Sequence, residues 1–237
     1  VYPDAELAEK KKPFHILEYH RRCRNEELIK YMPYRPGLRA LDCGCGKGVL
    51  LHQLAGRTKE AWGIDRSAAA LDGALAPDQV STARMTRLPY AEETFDVVFG
   101  QEILHRARSL ASVLGEMARV LRVGGRLILW EPRRMLRHAP MADLQGQMQE
   151  AGLDLAHTEP FDLVAYPTAI AFSLVPLLSR SYLAQSLAKA SFAVDGLLGR
   201  VPVLYEHSWH LILVAQKRAG PVSPRDWVYG GIEINDR

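Results

Sequence analysis

Ala40-Leu-Asp-Cys-Gly-Cys-Gly-Lys-Gly48 begins as a short apolar strand, closes that strand on Asp42, and passes through glycines at 44, 46 and 48 into a helical run that starts near Val49. Glycine at those positions lets the backbone turn tightly and approach a ligand closely just before a helix opens, an arrangement suited to a nucleotide. A dinucleotide fingerprint wants its third glycine three residues after the second. Here Gly48 comes too early and Val49 holds the expected place, which shifts the reading away from NAD. Cys43 and Cys45 raise the alternative of a metal or redox site. A metal needs three or four ligands. Cys-x-Cys brings a pair and Cys23 is far off in sequence, so both cysteines read as small loop residues and no metal is expected.

Outward from the loop, short β-branched or apolar runs alternate with helical periods, the pattern of an α/β fold. Residues 39–43, 60–64, 80–85, 95–100 and 126–130 read as strands. Leu110, Val113, Leu114, Met117, Val120 and Leu121 form a helical stripe behind a Ser109 N-cap, and Val123-Gly124-Gly125 turns the chain into the next strand. Residues 10–31 read as a helix ended by Pro33 and Pro36-Gly37, and residues 141–151 as a helix stopped by Gly152. Residues 209–216 are apolar on both faces, as in a strand buried on both sides. The apolar stretch 161–202 is too long for a plain loop and reads as a helical lid. The expected division is an N-terminal helical cap at 1–37, a core at 38–160, the lid at 161–202, and a last strand with a tail at 203–237.

At 237 residues, with 48% hydrophobic and 24% charged, the chain has room for one large domain with a buried core. A formal net charge of +3 is too small to argue for nucleic acid, but residues 105–137 hold eight Arg against Glu116 and Glu131. That local excess leaves a phosphate, an anionic membrane or plain water as what it faces. Three cysteines make no disulfide framework, and no secretory-like segment stands near Val1, so the expectation is a cytoplasmic protein. The longest uncharged stretch, 163–179, is short for a bilayer span and contains Pro167 and Pro176, so no transmembrane helix is expected.

Past the loop, the second strand closes on Gly63-Ile64-Asp65, about twenty residues on, where an acid can accept hydrogen bonds from ribose hydroxyls. With LDCGCGKG at 41–48, GIDRS at 63–67, RLPYAEETFDVVFGQEILHR at 87–106 and LRVGGRLILWEP at 121–132, the chain resembles the class I S-adenosylmethionine (SAM)-dependent methyltransferases. It is most similar to their UbiE-like "type 11" group acting on small molecules and lipids. The resemblance implies a Rossmann-like α/β fold whose seven-stranded sheet runs 3-2-1-4-5-7-6, with strand seven antiparallel and helices on both faces. The lid then falls between strands six and seven. It implies SAM as cofactor, with Asp42, Gly44, Cys45 and Gly46 beside its methionine part, Asp65 on its ribose and Arg66 along its adenine. Arg84 and Met85 stand where family members often carry Asp-Ala, and Arg84 cannot accept from an adenine amino group as that Asp does. Gln101 falls near the amino-acid end.

Transfer of a methyl from cationic sulfur is an in-line displacement that chiefly needs an acceptor held close and aligned, and a hydroxyl acceptor also benefits from a base. In the segment after strand four, His105 aligns with a histidine frequent in the family, and Glu131 ends strand five beside it. Both are candidates for catalysis. Tyr19 and His20 in the N-terminal helix, and His207 and His210 near the last strand, are candidates for the acceptor side. The apolar lid suggests a small hydrophobic or lipid-linked acceptor, with contact to a membrane surface or a homodimer face as further readings. O-methylation is the favoured reading. An RNA methyltransferase using residues 105–137 and a non-catalytic SAM-binding protein are the alternatives. Against the RNA reading, the chain has no Asn/Asp-Pro-Pro-Tyr motif and no Pro-Cys nucleophile.

Overall fold

Alternation of side chains builds the sheet from its middle outward. In β1 (Arg39–Cys43), Ala40 joins the core on one face while Leu41 and Cys43 join the core on the other. The same division recurs in β5 (Leu121–Pro132), where Ile128 and Trp130 oppose Leu127 and Leu129, and in β7 (His210–Lys217), where Ile212 and Val214 oppose Leu211 and Leu213. Strands apolar on both faces must be covered on both sides. The computed structural model describes residues 15–33, 36–134, 140–198, 201 and 207–218. With β2 (Glu60–Asp65), β3 (Val80–Thr82), β4 (Phe95–Gln101) and β6 (Leu153–Phe161), the sheet has seven strands in the order β3-β2-β1-β4-β5-β7-β6. β7 is antiparallel to both of its neighbours.

One face is covered by α1 (Ile16–Ile29), α2 (Val49–Leu54), α6 (Ala165–Ser173) and α7 (Tyr182–Leu198), the other by α4 (Leu110–Val120) and α5 (Met141–Glu150). The short α3 (Ala68–Leu71) buries nothing. Ile16, Tyr19, Cys23 and Leu28 of α1 pack with Ala165, Ala169, Ala184, Ala188 and Phe192, so the lid helices and the N-terminal helix share one core. Ser109 caps α4 by accepting from Ser112 N, as its sequence suggests.

Several bounds differ from the expectation. β3 stops at Thr82, leaving Arg84 and Met85 in the following loop, because Ser81 and Thr82 at the sheet edge are exposed. β5 starts at Leu121 rather than near 126: Phe95 pairs with Leu121 and Val97 with Arg126, so the Gly124 turn, at φ 75°, becomes an irregularity within one strand. Residues 10–14 of the expected first helix, 199–200 and 202 of the lid, and the tail from 219 lie outside the described residues.

Part of the Arg excess works inside the fold. Arg119 bonds Glu116 and the carbonyls of Leu88 and Tyr90, Arg122 bonds Asp96 and the Glu93 carbonyl, and Arg126 donates to Tyr31 O. These contacts fix loops to strands and interrupt any continuous cationic track.

Candidate functional site

From β1 the chain winds outward to β2 and β3, then returns to lay β4 against the other side of β1. That reversal leaves a crevice at the carboxyl ends of β1 and β4, where ligands of open α/β sheets bind. The crevice here is an open cleft of about 230 Å³. Arg21, Arg24 and Asn25 of α1 line it from one side, Asp42 and the loop at Gly44, Cys45, Gly46 and Lys47 from below, and Gln101, Glu102 and Trp130 from the other.

The loop owes its shape to its glycines. Gly44, Gly46 and Gly48 all have positive φ (82°, 49° and 73°), and the N–H groups of Gly44 and Cys45 both donate to Ile64 O, folding the loop over the end of β2. A Cβ on Gly44 would meet Ile103 Cγ2 at 2.9 Å, whereas one on Gly46 would meet nothing within 4 Å and would project into open space. Cys45 fills the room left by Gly63, where a Cβ would come within 2.7 Å of its Sγ. Burial, with Asp42 and Asp65 nearby, pushes the Cys45 thiol up to about 12, so it is a packed thiol rather than a thiolate ligand. Among the described residues no group of His, Cys, Asp and Glu is placed to hold a metal ion.

Charge is balanced across the cleft by two groups of opposite sign, the buried Asp42 and the half-buried Arg24. Burial pushes the Asp42 carboxyl up to about 7, against the pull of Arg24 and with a further push from Asp65. Burial likewise brings the Arg24 guanidinium down to about 10. Arg24 lies over the Trp130 indole, 4.0 Å from its centroid, and its Nη2 donates to Gln101 Oε1 at 2.6 Å. Arg24 Nε and Trp130 Nε1 are buried with no hydrogen-bond partner among the described residues. Asp65, half-buried at the end of β2, accepts from Gly46 N at 3.2 Å and Ser67 N at 2.9 Å, which locks the loop to the neighbouring strand.

The fold thus gathers Asp42, Gly44, Cys45, Gly46 and Gln101 around one cleft and ties Asp65 to it through Gly46. Arg66 and Arg84 are exposed beyond it, and Met85 is half-buried against the core under α4. Tyr19 packs in the core at 2% exposure, and His207 is exposed. Glu131 is buried, one oxygen accepting from Ile103 N and Leu104 N (2.8 and 2.9 Å) and the other facing His105 Nδ1 at 3.3 Å. His105 Nε2 accepts from Arg106 Nε at 3.1 Å. Neither His105 nor Glu131 lines the cleft.

His20 and His210 meet at one carboxylate. Asp162, wholly buried, stands 2.8 Å from His20 Nε2 and 2.9 Å from His210 Nδ1; the second contact is close but lacks hydrogen-bond alignment and acts through charge. His210 Nε2 lies 3.6 Å from Glu102, so its two ring nitrogens both face carboxylates. Burial alone would disfavour an imidazolium, but Asp162 and Glu102 together hold the His210 pKa above its ordinary value. Contacts with His20 and then His210 pull Asp162 down to about 2 in spite of its burial. Glu102 and Asp162 also hold φ at 53° and 62°, a conformation rare outside glycine and concentrated at functional sites. His210 stacks on Trp130 at 3.7 Å and Tyr166 stands edge-on to His210 at 5.0 Å, an aromatic wall that continues from the cleft to the lid. Sequence reasoning did not single out Glu102 and Trp130, although they lie inside the motifs at 87–106 and 121–132, nor Arg24 and Asp162, which lie in none of the quoted motifs.

Residues 41–129 match the family described as methyltransferase domain. The malonyl-[acyl-carrier protein] O-methyltransferase of Legionella pneumophila is 34% identical over 110 residues, covering 43% of this chain and 38% of that protein. The ubiquinone/menaquinone biosynthesis C-methyltransferase UbiE of Bordetella parapertussis is 34% identical over 119 residues, covering 44% of each. The chain therefore spans less than half the length of these curated relatives. Among solved structures, geranyl diphosphate C-methyltransferase from Streptomyces coelicolor superposes with a TM-score of 0.59 at 16% identity, over 84% of this chain and 80% of that one, a likeness of fold. In its matched segment, residues 41–129, and in its strand order alike, the chain is similar to the class I S-adenosylmethionine-dependent methyltransferases.

Proposed function

We propose that the protein transfers a methyl group from SAM to a small, apolar or lipid-linked acceptor, with oxygen as the favoured target. The observation that carries this reading is the cleft itself, with a glycine loop on its floor, a buried carboxyl at Asp42 and a half-buried guanidinium at Arg24. The residues present fit the cofactor. Space above Gly46 admits a ligand, Asp42 suits a cationic centre, and the unpartnered Arg24 Nε is a donor for a carboxylate. Asp65 would receive the ribose hydroxyls and Gln101 the amino-acid end, with Arg66, Arg84 and Met85 as the outer wall toward the adenine. The cofactor supplies a methyl on cationic sulfur, and the chain's part is to hold the acceptor in line and take its proton.

For the proton, Glu102 lines the cleft together with Asp42, and its contact with His210 holds the Glu102 pKa below the ordinary value, so Glu102 is the one of the two that is ionised and able to accept from a hydroxyl. Glu131 and His105 act in this reading as positioning residues: Glu131 fixes the N–H groups of Ile103 and Leu104 and orients the His105 ring at the edge of the opening. The wall of Trp130, His210 and Tyr166 suits a flat or apolar acceptor, with His20 beside Tyr166 at its margin. One of the relatives is named an O-methyltransferase and another a C-methyltransferase, and oxygen is favoured because Glu102 can take a hydroxyl proton.

Titration calorimetry with SAM and S-adenosylhomocysteine tests the cofactor, and transfer of labelled methyl to a panel of phenols, alcohols and acyl carboxylates tests the reaction. Binding should fall at least about tenfold in Asp65→Ala and Arg24→Ala, the loss of a charge-assisted hydrogen bond. Undiminished binding in both variants would sink the assignment of the cleft.

A further inference from the structure

The lid buries Gln185, Ser191 and Asp195 while most of its leucines face outward. On α7 the buried face carries Gln185, Ser191 and Asp195 alongside Ala184, Ala188 and Phe192, while Leu183, Leu187, Ala190, Val194 and Leu197 run along the exposed face at helical spacing. Ahead of α7, the connection from α6 exposes Leu174 at 77% and Leu177 at 86%, with Val175 and Pro176 between them. Single exposed leucines are ordinary, but a contiguous patch of this kind marks an interaction surface.

We infer that this outer face of the lid docks on an anionic lipid bilayer. The charges decide the occupant. Along residues 165–198 the charged side chains are Arg180, Lys189 and Asp195. Asp195 is turned inside, accepting from Val164 N and Ala165 N at the start of α6, so the exposed charge of this segment is the cation Arg180. Trp209 and Tyr182 are each 55% exposed, amphipathic rings of the type that settle at headgroup depth. The Trp209 carbonyl accepts from Arg133 N, which places the exposed Arg134 at the same margin. An apolar face bordered by cations binds anionic membranes by combining buried apolar area with surface potential.

A second copy of the chain fits the patch less well. The α7 stripe covers about two heptads, short of the three or four that sustain a coiled-coil seam. The most exposed leucines, Leu174 and Leu177, belong to the connection ahead of α7 and not to that stripe. Among the described residues no helix is long and apolar enough to cross a membrane, so the contact lies on the surface of the bilayer.

Flotation of the full chain with vesicles of phosphatidylcholine alone and of phosphatidylcholine with phosphatidylglycerol tests the inference without any cofactor, so its failure leaves the methyl-transfer reading untouched. Binding should require phosphatidylglycerol, weaken with added salt, and drop at least about tenfold in Leu174→Ser/Leu177→Ser and again in Arg180→Glu. Thermal unfolding of each variant checks that it is folded, and Arg180→Glu carries the test if the double variant is not. Three outcomes overturn the inference: no flotation with either vesicle, flotation unchanged by both variants, or a dimer in analytical ultracentrifugation that Leu183→Ser/Leu187→Ser converts to monomer.

Discussion

His20 Nε2 and Asp162 Oδ1 stand 2.8 Å apart although 142 residues separate them in the chain. The same carboxylate meets His210, so one buried group ties α1 to the end of β6 and to β7, which is how the N-terminal helix and the lid are anchored over the sheet. Removing one partner of a buried charged cluster leaves the others uncompensated and costs about 3–5 kcal/mol. Asp162→Ala should lower the unfolding free energy by that amount in a urea titration. Asp162→Asn, which tolerates the positive φ, should cost less and isolates the charge.

The same cluster sets a pH window for stability. The raised pKa of His210 means that its contribution is complete below its unfolded value, about 6.5, and is lost as pH rises through the folded value. Asp162, at about 2 against an ordinary 3.8, contributes above 3.8 and loses that contribution as pH falls toward 2. The difference in melting temperature between the native chain and His210→Gln should therefore be widest between about pH 4 and 6.5 and shrink in the alkaline direction. A difference that does not change from pH 5 to 9 would refute the imidazolium.

What could be read from the sequence was what repeats locally. The stretch 40–48 showed its strand, its turn and its helix start because each depends on near neighbours, and β1 falls on the expected residues 39–43. The strand order came with the resemblance and matches the sheet. The cleft's other wall was not legible. Trp130 ends the run Leu127-Ile-Leu-Trp130 and reads as core, Arg24 is one arginine among Arg21 and Arg22, and Asp162 follows Phe161 as an ordinary strand-end acid. Their roles arise only when residues 24, 102, 130, 162 and 210 are brought together by tertiary contacts. The outward leucines of α7 were legible as apolar residues, but their direction depends on which face the sheet claims.

Gly44 and Gly46 should separate folding from binding. Both need the left-handed conformation, which costs a non-glycine residue about 1–2 kcal/mol. Only Gly44 also faces a neighbour, since a methyl added there would stand 2.9 Å from Ile103 Cγ2, so Gly44→Ala should be the less stable variant in thermal unfolding. Gly46→Leu should keep most of its stability and still lose cofactor binding, because its side chain enters the open cleft. Cys45→Ala should bind the cofactor within a few-fold of the native chain.

Asp42 predicts a proton released on binding. With its carboxyl near 7, a large fraction is protonated at pH 6, and a ligand carrying a sulfonium and an ammonium favours the ionised form. SAM affinity should then climb with pH up to about 7, by as much as about tenfold per unit, and level off above it. Calorimetry at pH 6 in two buffers of different ionisation enthalpy should give apparent binding enthalpies that differ in proportion to the proton released. Asp42→Asn should remove both the buffer dependence and the slope while remaining folded, since the amide is neutral as the native carboxyl is at low pH. Identical enthalpies in the two buffers for the native chain would mean that the Asp42 carboxyl does not sense the bound cofactor, and the charge balance between Asp42 and Arg24 would then serve the fold alone.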